Sequence, residues 1–141
     1  MVERLGVRVV ADSHALIFYL LQPEKLTDQA LAALLEAEDT DGVVVSVATI
    51  GDLWCASHKS GPNSLAPGAF ELLRRTVLDP STNLEVVPIV VDTMKHFDRV
   101  SLADLADPFD RFILATAAQF ELPLVTADRA IRKTNVVEVI W

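Results

Sequence analysis

The chain has 141 residues, enough for one compact domain, and 51% of them are hydrophobic, too many for a disordered chain. No apolar run is long enough to span a bilayer, and the single cysteine, Cys55, excludes an internal disulfide and fits a reducing cytosol. A net charge of −8 runs against the basic surface that phosphate binding favours, although a divalent ion reverses the local sign of an acidic cluster.

The opening stretch, "MVERLGVRVVADSHALIFYLL", mixes charges into its apolar residues and lacks a small-residue cleavage site. It is read as a strand and a helix, not as a signal peptide. "VRVVA" (7–11) is the first strand, and "SHALIFYLLQ" (13–22) has helical spacing, with Asp12 or Ser13 as cap and Pro23 as stop. Residues 28–39 form the clearest amphipathic helix, with Thr27 as N-cap. "GVVVSVA" (42–48) is a β-branched run suited to a strand buried on both faces, and 49–61 reads as a helix ending at Gly61. A loop (61–68), a helix (69–78), a turn (79–83) and a strand (84–90) follow. Next come a helix over 92–100, a helix over 109–121, a strand over 122–127, a helical turn over 128–133 and a last strand over 136–141. Strands alternate with helices throughout. That order predicts a single domain over 1–141, a three-layer α/β/α sandwich around a mostly parallel sheet.

In open parallel sheets, ligands sit beyond the carboxyl ends of the strands. Asp12 directly follows the first strand, and Asp128 follows the fourth. Asp52 is placed on the first turn of the helix after "GVVVSVA", and Asp110 opens the helix that leads back into the fourth strand. Four carboxylates brought to one edge repel one another unless a cation neutralises them. Hard oxygen donors suit Mg²⁺ or Mn²⁺, and such sites commonly activate water for phosphoryl chemistry. Each acid also has a plainer reading as a helix cap or as a partner of a helix dipole.

The segments "VVADSHALI", "VSVATIGDL", "DPFDRFILATA" and "LVTADRAI" resemble the signature segments of PIN-domain ribonucleases, and most closely those of VapC-like toxins of type II toxin–antitoxin systems. The resemblance runs from Asp12 to Asp128. It implies a PIN-like fold and a metal-dependent endoribonuclease that hydrolyses RNA by metal-activated water, with Mg²⁺ or Mn²⁺ held by Asp12, Asp52, Asp110 and Asp128. It also implies a cytoplasmic toxin, a cognate antitoxin partner, an RNA substrate and a homodimer. Thr126 matches a threonine that supports the acids in the family. Ser13 is a candidate ligand-orienting hydroxyl, Asp107 a candidate fifth acid or a turn residue with Pro108, and Arg111 and Arg129 candidate phosphate contacts or salt-bridge partners of the acids. One position departs from the pattern: the second acid is usually glutamate, and Asp52 is shorter by about 1.5 Å, roughly one bond length. That departure, with the acidic balance, motivates the alternative of a PIN-like binding module without catalysis.

His14, His58 and His96 show no mutual ligand spacing and are assigned no role. Cys55 has no evident base and is placed in the core. Trp54 and Phe18 are read as core residues, with a partner groove as the alternative. Arg74, Arg75, Arg132 and Lys133 are read as solvated helix faces. A haloacid-dehalogenase-like phosphatase would need a second aspartate where His14 stands, and only five glycines leave no phosphate loop.

Overall fold

The computed structural model describes residues 6–62 and 64–141. Residues 1–5 of the opening stretch and Asn63 of the 61–68 loop lie outside the described residues. Five strands form one parallel sheet: β1 (Arg8–Ala11), β2 (Gly42–Ser46), β3 (Leu84–Val87), β4 (Leu124–Val125) and β5 (Val139–Ile140). Among the described residues there are seven α-helices: α1 (Ser13–Leu21), α2 (Asp28–Asp39), α3 (Val47–Ser57), α4 (Ala69–Val77), α5 (Val91–Met94), α6 (Pro108–Phe120) and α7 (Arg129–Lys133).

The strand order is β3-β2-β1-β4-β5, and every pairing is parallel. From β1 the chain builds outward through β2 and β3, then returns to place β4 on the other side of β1. The switch point therefore lies between β1 and β4, where the loops leaving the two strands diverge and open a crevice.

Alternation along the strands sorts the core into two layers. Val9, Ala11, Val43, Val45 and Val125 pack with α1, α2 and α4 through Leu16, Leu34 and Leu73. Val10, Val44 and Leu124 face the opposite way and pack with α6 and α7 through Ile113, Leu114, Ala117 and Ile131. The result is the α/β/α sandwich expected from the alternating elements. The central strands are buried on both faces, which explains their unbroken β-branched sequence.

Several boundaries differ from the sequence reading, each for a local reason. β2 stops at Ser46 rather than at 48, because the Ser46 hydroxyl accepts the Ala48 N–H at 3.1 Å and caps α3. The helix expected over 49–61 therefore spans 47–57, and Asp52 sits in its second turn, not its first. Gly61 lies beyond the helix, in the loop, at φ 103°. β3 ends at Val87, ahead of Pro88, which has no N–H for the ladder. The helix expected over 92–100 is α5 followed by a separate 3₁₀ turn at Phe97–Arg99. β4 and β5 are only two residues each.

Candidate active site

Asp12 is the residue after β1 and the N-cap of α1. Its Oδ1 accepts the Ala15 N–H at 2.8 Å, and its Oδ2 accepts the Thr126 hydroxyl. Thr126 follows β4, so this bond ties together the two strand ends that flank the switch point. Both side chains are buried. Loss of solvation raises the affinity of Asp12 for a proton, while the Thr126 and Ala15 bonds pull the other way.

Asp128 caps α7, accepting the Ile131 N–H at 3.0 Å, and its own N–H donates to Thr126 Oγ1 at 3.0 Å. Thr126 therefore links two of the acids, donating to one and accepting from the backbone of the other. Asp52 accepts the Ser13 hydroxyl at 2.6 Å, which joins α3 to α1. Ser13 is buried and spends its proton on that bond.

Asp110 is the third residue of α6. The cap of that helix is Asp107, whose Oδ1 accepts the N–H groups of Phe109 and Asp110 at 2.8 and 3.2 Å. Pro108 at the first helical position has no N–H to satisfy. Among the described residues no hydrogen-bond donor reaches the Asp110 carboxylate. Burial, and then the charges of Asp107, Asp128, Asp12 and Asp52, push its pKa up from 3.8 to about 7.

These five acids line one cavity of about 460 Å³, with Ser13, His14, Ile17, Phe18, Leu53, Ala56, Lys59 and Ala127. Its lining combines the carboxylates with the apolar side chains of Ile17, Phe18, Leu53 and Ala56. A wider hollow beside Tyr19 and Leu35 holds none of the acids that follow the strands.

The donor set is all carboxylate oxygen, which fits Mg²⁺ or Mn²⁺ by hardness and charge. As placed, no three acid, histidine or cysteine side chains among the described residues stand together as a ready coordination group.

Two candidates fall elsewhere. Arg111 is buried, and its guanidinium donates to four backbone carbonyls: Phe97 at 2.5 Å, Val100 at 2.5 Å, Ser101 at 2.8 Å and Leu105 at 2.6 Å. It is therefore neither a phosphate contact nor an ion-pair partner of the acids; it organises the segment that enters α6. Arg129 opens α7 with an exposed side chain and does not line the cavity. Trp54, read as a core residue, is instead 53% exposed and lies against His58, ring centroids 4.2 Å apart.

His14, assigned no role from the sequence, lines the cavity all the same, and so does Lys59, which the sequence did not single out. His14 is the second residue of α1, two past the Asp12 cap, and Lys59 lies two residues past the end of α3, its N–H donating to the Ala56 carbonyl at 3.3 Å.

The chain is thus an open parallel α/β/α sandwich with a carboxylate-lined cavity at its switch point, the place where such sheets bind ligands. The PIN domain family model matches residues 9–137, and the chain belongs to the PIN-domain family. None of the curated proteins matches the sequence. Among solved structures, the VapBC2 complex of Rickettsia felis bound to a promoter DNA fragment contains a chain of the same fold: TM-score 0.67, 12% identity, covering 94% of this chain and 97% of that one. The DNA-bound VapBC of Salmonella typhimurium gives TM-score 0.65 and 18% identity, covering 94% and 96%. VapBC-5 of Mycobacterium tuberculosis, a member of the VapBC family of toxin–antitoxin systems, gives 0.58 and 20%, covering 95% and 98%.

Proposed function

We propose that this chain is a metal-dependent endoribonuclease and the toxin half of a type II toxin–antitoxin pair. The observation that carries the proposal is the meeting of Asp12, Asp52, Asp110 and Asp128, from four separate elements, in one cavity at the switch point. Membership of the PIN family and the shared fold of VapBC chains support it. The four acids are the residues that would hold Mg²⁺ or Mn²⁺. A bound ion of this kind supplies Lewis acidity, charge neutralisation and a lowered pKa of water.

The chain's own groups hold the site in shape. Thr126 and the Ala15 N–H fix both oxygens of Asp12. Ser13 fixes Asp52, and the Asp107 cap sets the first turn of α6 so that Asp110 faces the cavity. Ile17, Phe18, Leu53 and Ala56 add apolar surface to the lining of the same cavity. A carboxylate of the set accepts a proton from the attacking water as the P–O bond to the leaving oxygen breaks. No side-chain nucleophile is required.

A cognate antitoxin and a homodimer complete the reading. Exposed apolar side chains on α2, α3 and α4, among them Leu35, Trp54 and Leu72, supply surface for such contacts.

Asp12→Asn and Asp128→Asn should each abolish Mg²⁺- or Mn²⁺-dependent cleavage of RNA while leaving the circular dichroism spectrum unchanged. Cleavage at the wild-type rate in both variants would remove these acids from the mechanism. Asp52 in place of the usual glutamate, together with the net charge of −8, motivates a second reading, a non-catalytic PIN module. Calorimetric titration with Mn²⁺ separates the two: absence of binding together with absence of cleavage selects the silent module.

A further inference from the structure

We infer that Lys59 is the cation that seats the RNA beside the acidic cluster, by binding a phosphate next to the one being cleaved. The inference rests on the nuclease reading above and deepens it. A polyanion approaching five aspartates meets repulsion, and ions held among those acids relieve it only at the scissile phosphate. Flanking phosphates need a cation of the protein itself.

The cavity lining contains one permanently charged cation, and it is Lys59. Lys59 lies two residues past the end of α3 and seven past Asp52. Where the chain leaves the helix, the Lys59 N–H still donates to the Ala56 carbonyl at 3.3 Å, and Lys59 lines the cavity together with Asp52 and Ala56. Its side chain is exposed, and among the described residues it has no ion-pair or hydrogen-bond partner.

Among the described residues no other lysine or arginine lines the cavity, although Lys25 lies over the ring of Phe18 at 5.6 Å, and several others are committed elsewhere. Arg8, Arg74 and Lys95 pair with Glu85, Glu71 and Asp92. Arg111 is consumed by four carbonyls, and Arg129 stands outside the cavity. An ammonium is a point charge with three donors, suited to a phosphate oxygen and blind to base identity. Lys59 therefore contributes affinity and register, not sequence choice.

The test is cleavage of a fluorescent single-stranded RNA of mixed sequence, at fixed Mn²⁺, across a range of monovalent salt. Wild type is compared with Lys59→Gln and Lys59→Arg. Losing one phosphate contact should raise KM about fivefold at about 0.1 M salt, leave kcat intact and reduce the slope of log KM on log salt by about 0.7. Lys59→Arg should restore both. An unchanged KM and slope in Lys59→Gln, or a loss confined to kcat, overturns the inference alone. Absence of cleavage by the wild type overturns the nuclease reading and this inference with it.

Discussion

Asp110→Asn should stabilise the metal-free protein at neutral pH. In the folded chain the Asp110 carboxyl holds its proton up to about pH 7, against 3.8 for the free side chain, through burial and the four neighbouring aspartates. Between those values the folded state keeps a proton that the unfolded chain has released. Stability therefore falls as pH rises through that window and levels off above about pH 7. The full difference corresponds to about 4 kcal/mol. Asp110 is only partly buried, so solvent screening reduces this to about 1–2 kcal/mol. Asparagine removes the charge, keeps the shape and gives up a few tenths of a kcal/mol of helix-dipole benefit at the third position of α6. Thermal unfolding in EDTA at pH 7.5 should show the variant melting about 3–5 °C above wild type. At pH 4 the gap should close, because wild-type Asp110 is then neutral. Adding Mg²⁺ at pH 7.5 should raise the wild type more than the variant, since a cation relieves the repulsion that the variant already lacks. A variant that melts at or below wild type in EDTA at pH 7.5, or a gap that persists at pH 4, would refute the argument from mutual repulsion.

Arg111→Lys should cost about 2–4 kcal/mol in urea unfolding, because one ammonium cannot serve the four carbonyls of Phe97, Val100, Ser101 and Leu105. An unchanged midpoint would show that water replaces the guanidinium. Thr49→Val should be neutral or stabilising by about 1 kcal/mol in the same assay, since the buried Thr49 hydroxyl has no partner among the described residues and valine has the same shape; a large loss would reveal a hidden partner. Asp52→Glu extends the carboxylate by about one bond toward the cavity. It should raise the initial rate of Mn²⁺-dependent RNA cleavage by up to about tenfold, and a lower rate would mean that the Ser13 bond to Asp52 matters more than reach.

Much of this arrangement was legible in the residues, for reasons of period and capping. The β-branched runs of β1 and β2 permit nothing but doubly buried strands, and Thr27, Asp12 and Asp128 cap the helices that follow them. The boundaries that moved are those where a short polar side chain competes with pattern. Ser46 ends a strand that Val47 and Ala48 would by composition extend, and so carries Asp52 one turn further into α3. Arg111 was misplaced because adjacency to Asp110 in sequence says nothing of direction on a helix. Successive residues point about 100° apart, and here Arg111 turns from the cavity that Asp110 lines toward the carbonyls of Phe97, Val100, Ser101 and Leu105. Lys59 was missed because it lies past the end of α3, where the fold and not a helical period brings it to the cavity.

The two readings open to each acid, cap or site residue, turn out not to be alternatives. Asp12 and Asp128 cap α1 and α7, and both line the cavity. A parallel sheet aims the N-termini of its following helices at its carboxyl edge, so a cap at that edge is also a carboxylate at the switch point. Backbone N–H groups then supply part of the positive field that lets negative charges gather before any ion arrives. Asp107 performs that service for α6 through two N–H groups, which leaves Asp110, one turn in, with repulsion and no donor. That lack of a donor is why burial, and then repulsion, raise the Asp110 pKa unopposed, while two donors pull back against the burial that raises Asp12. It also makes Asp110 the acid with the most to gain from a divalent cation.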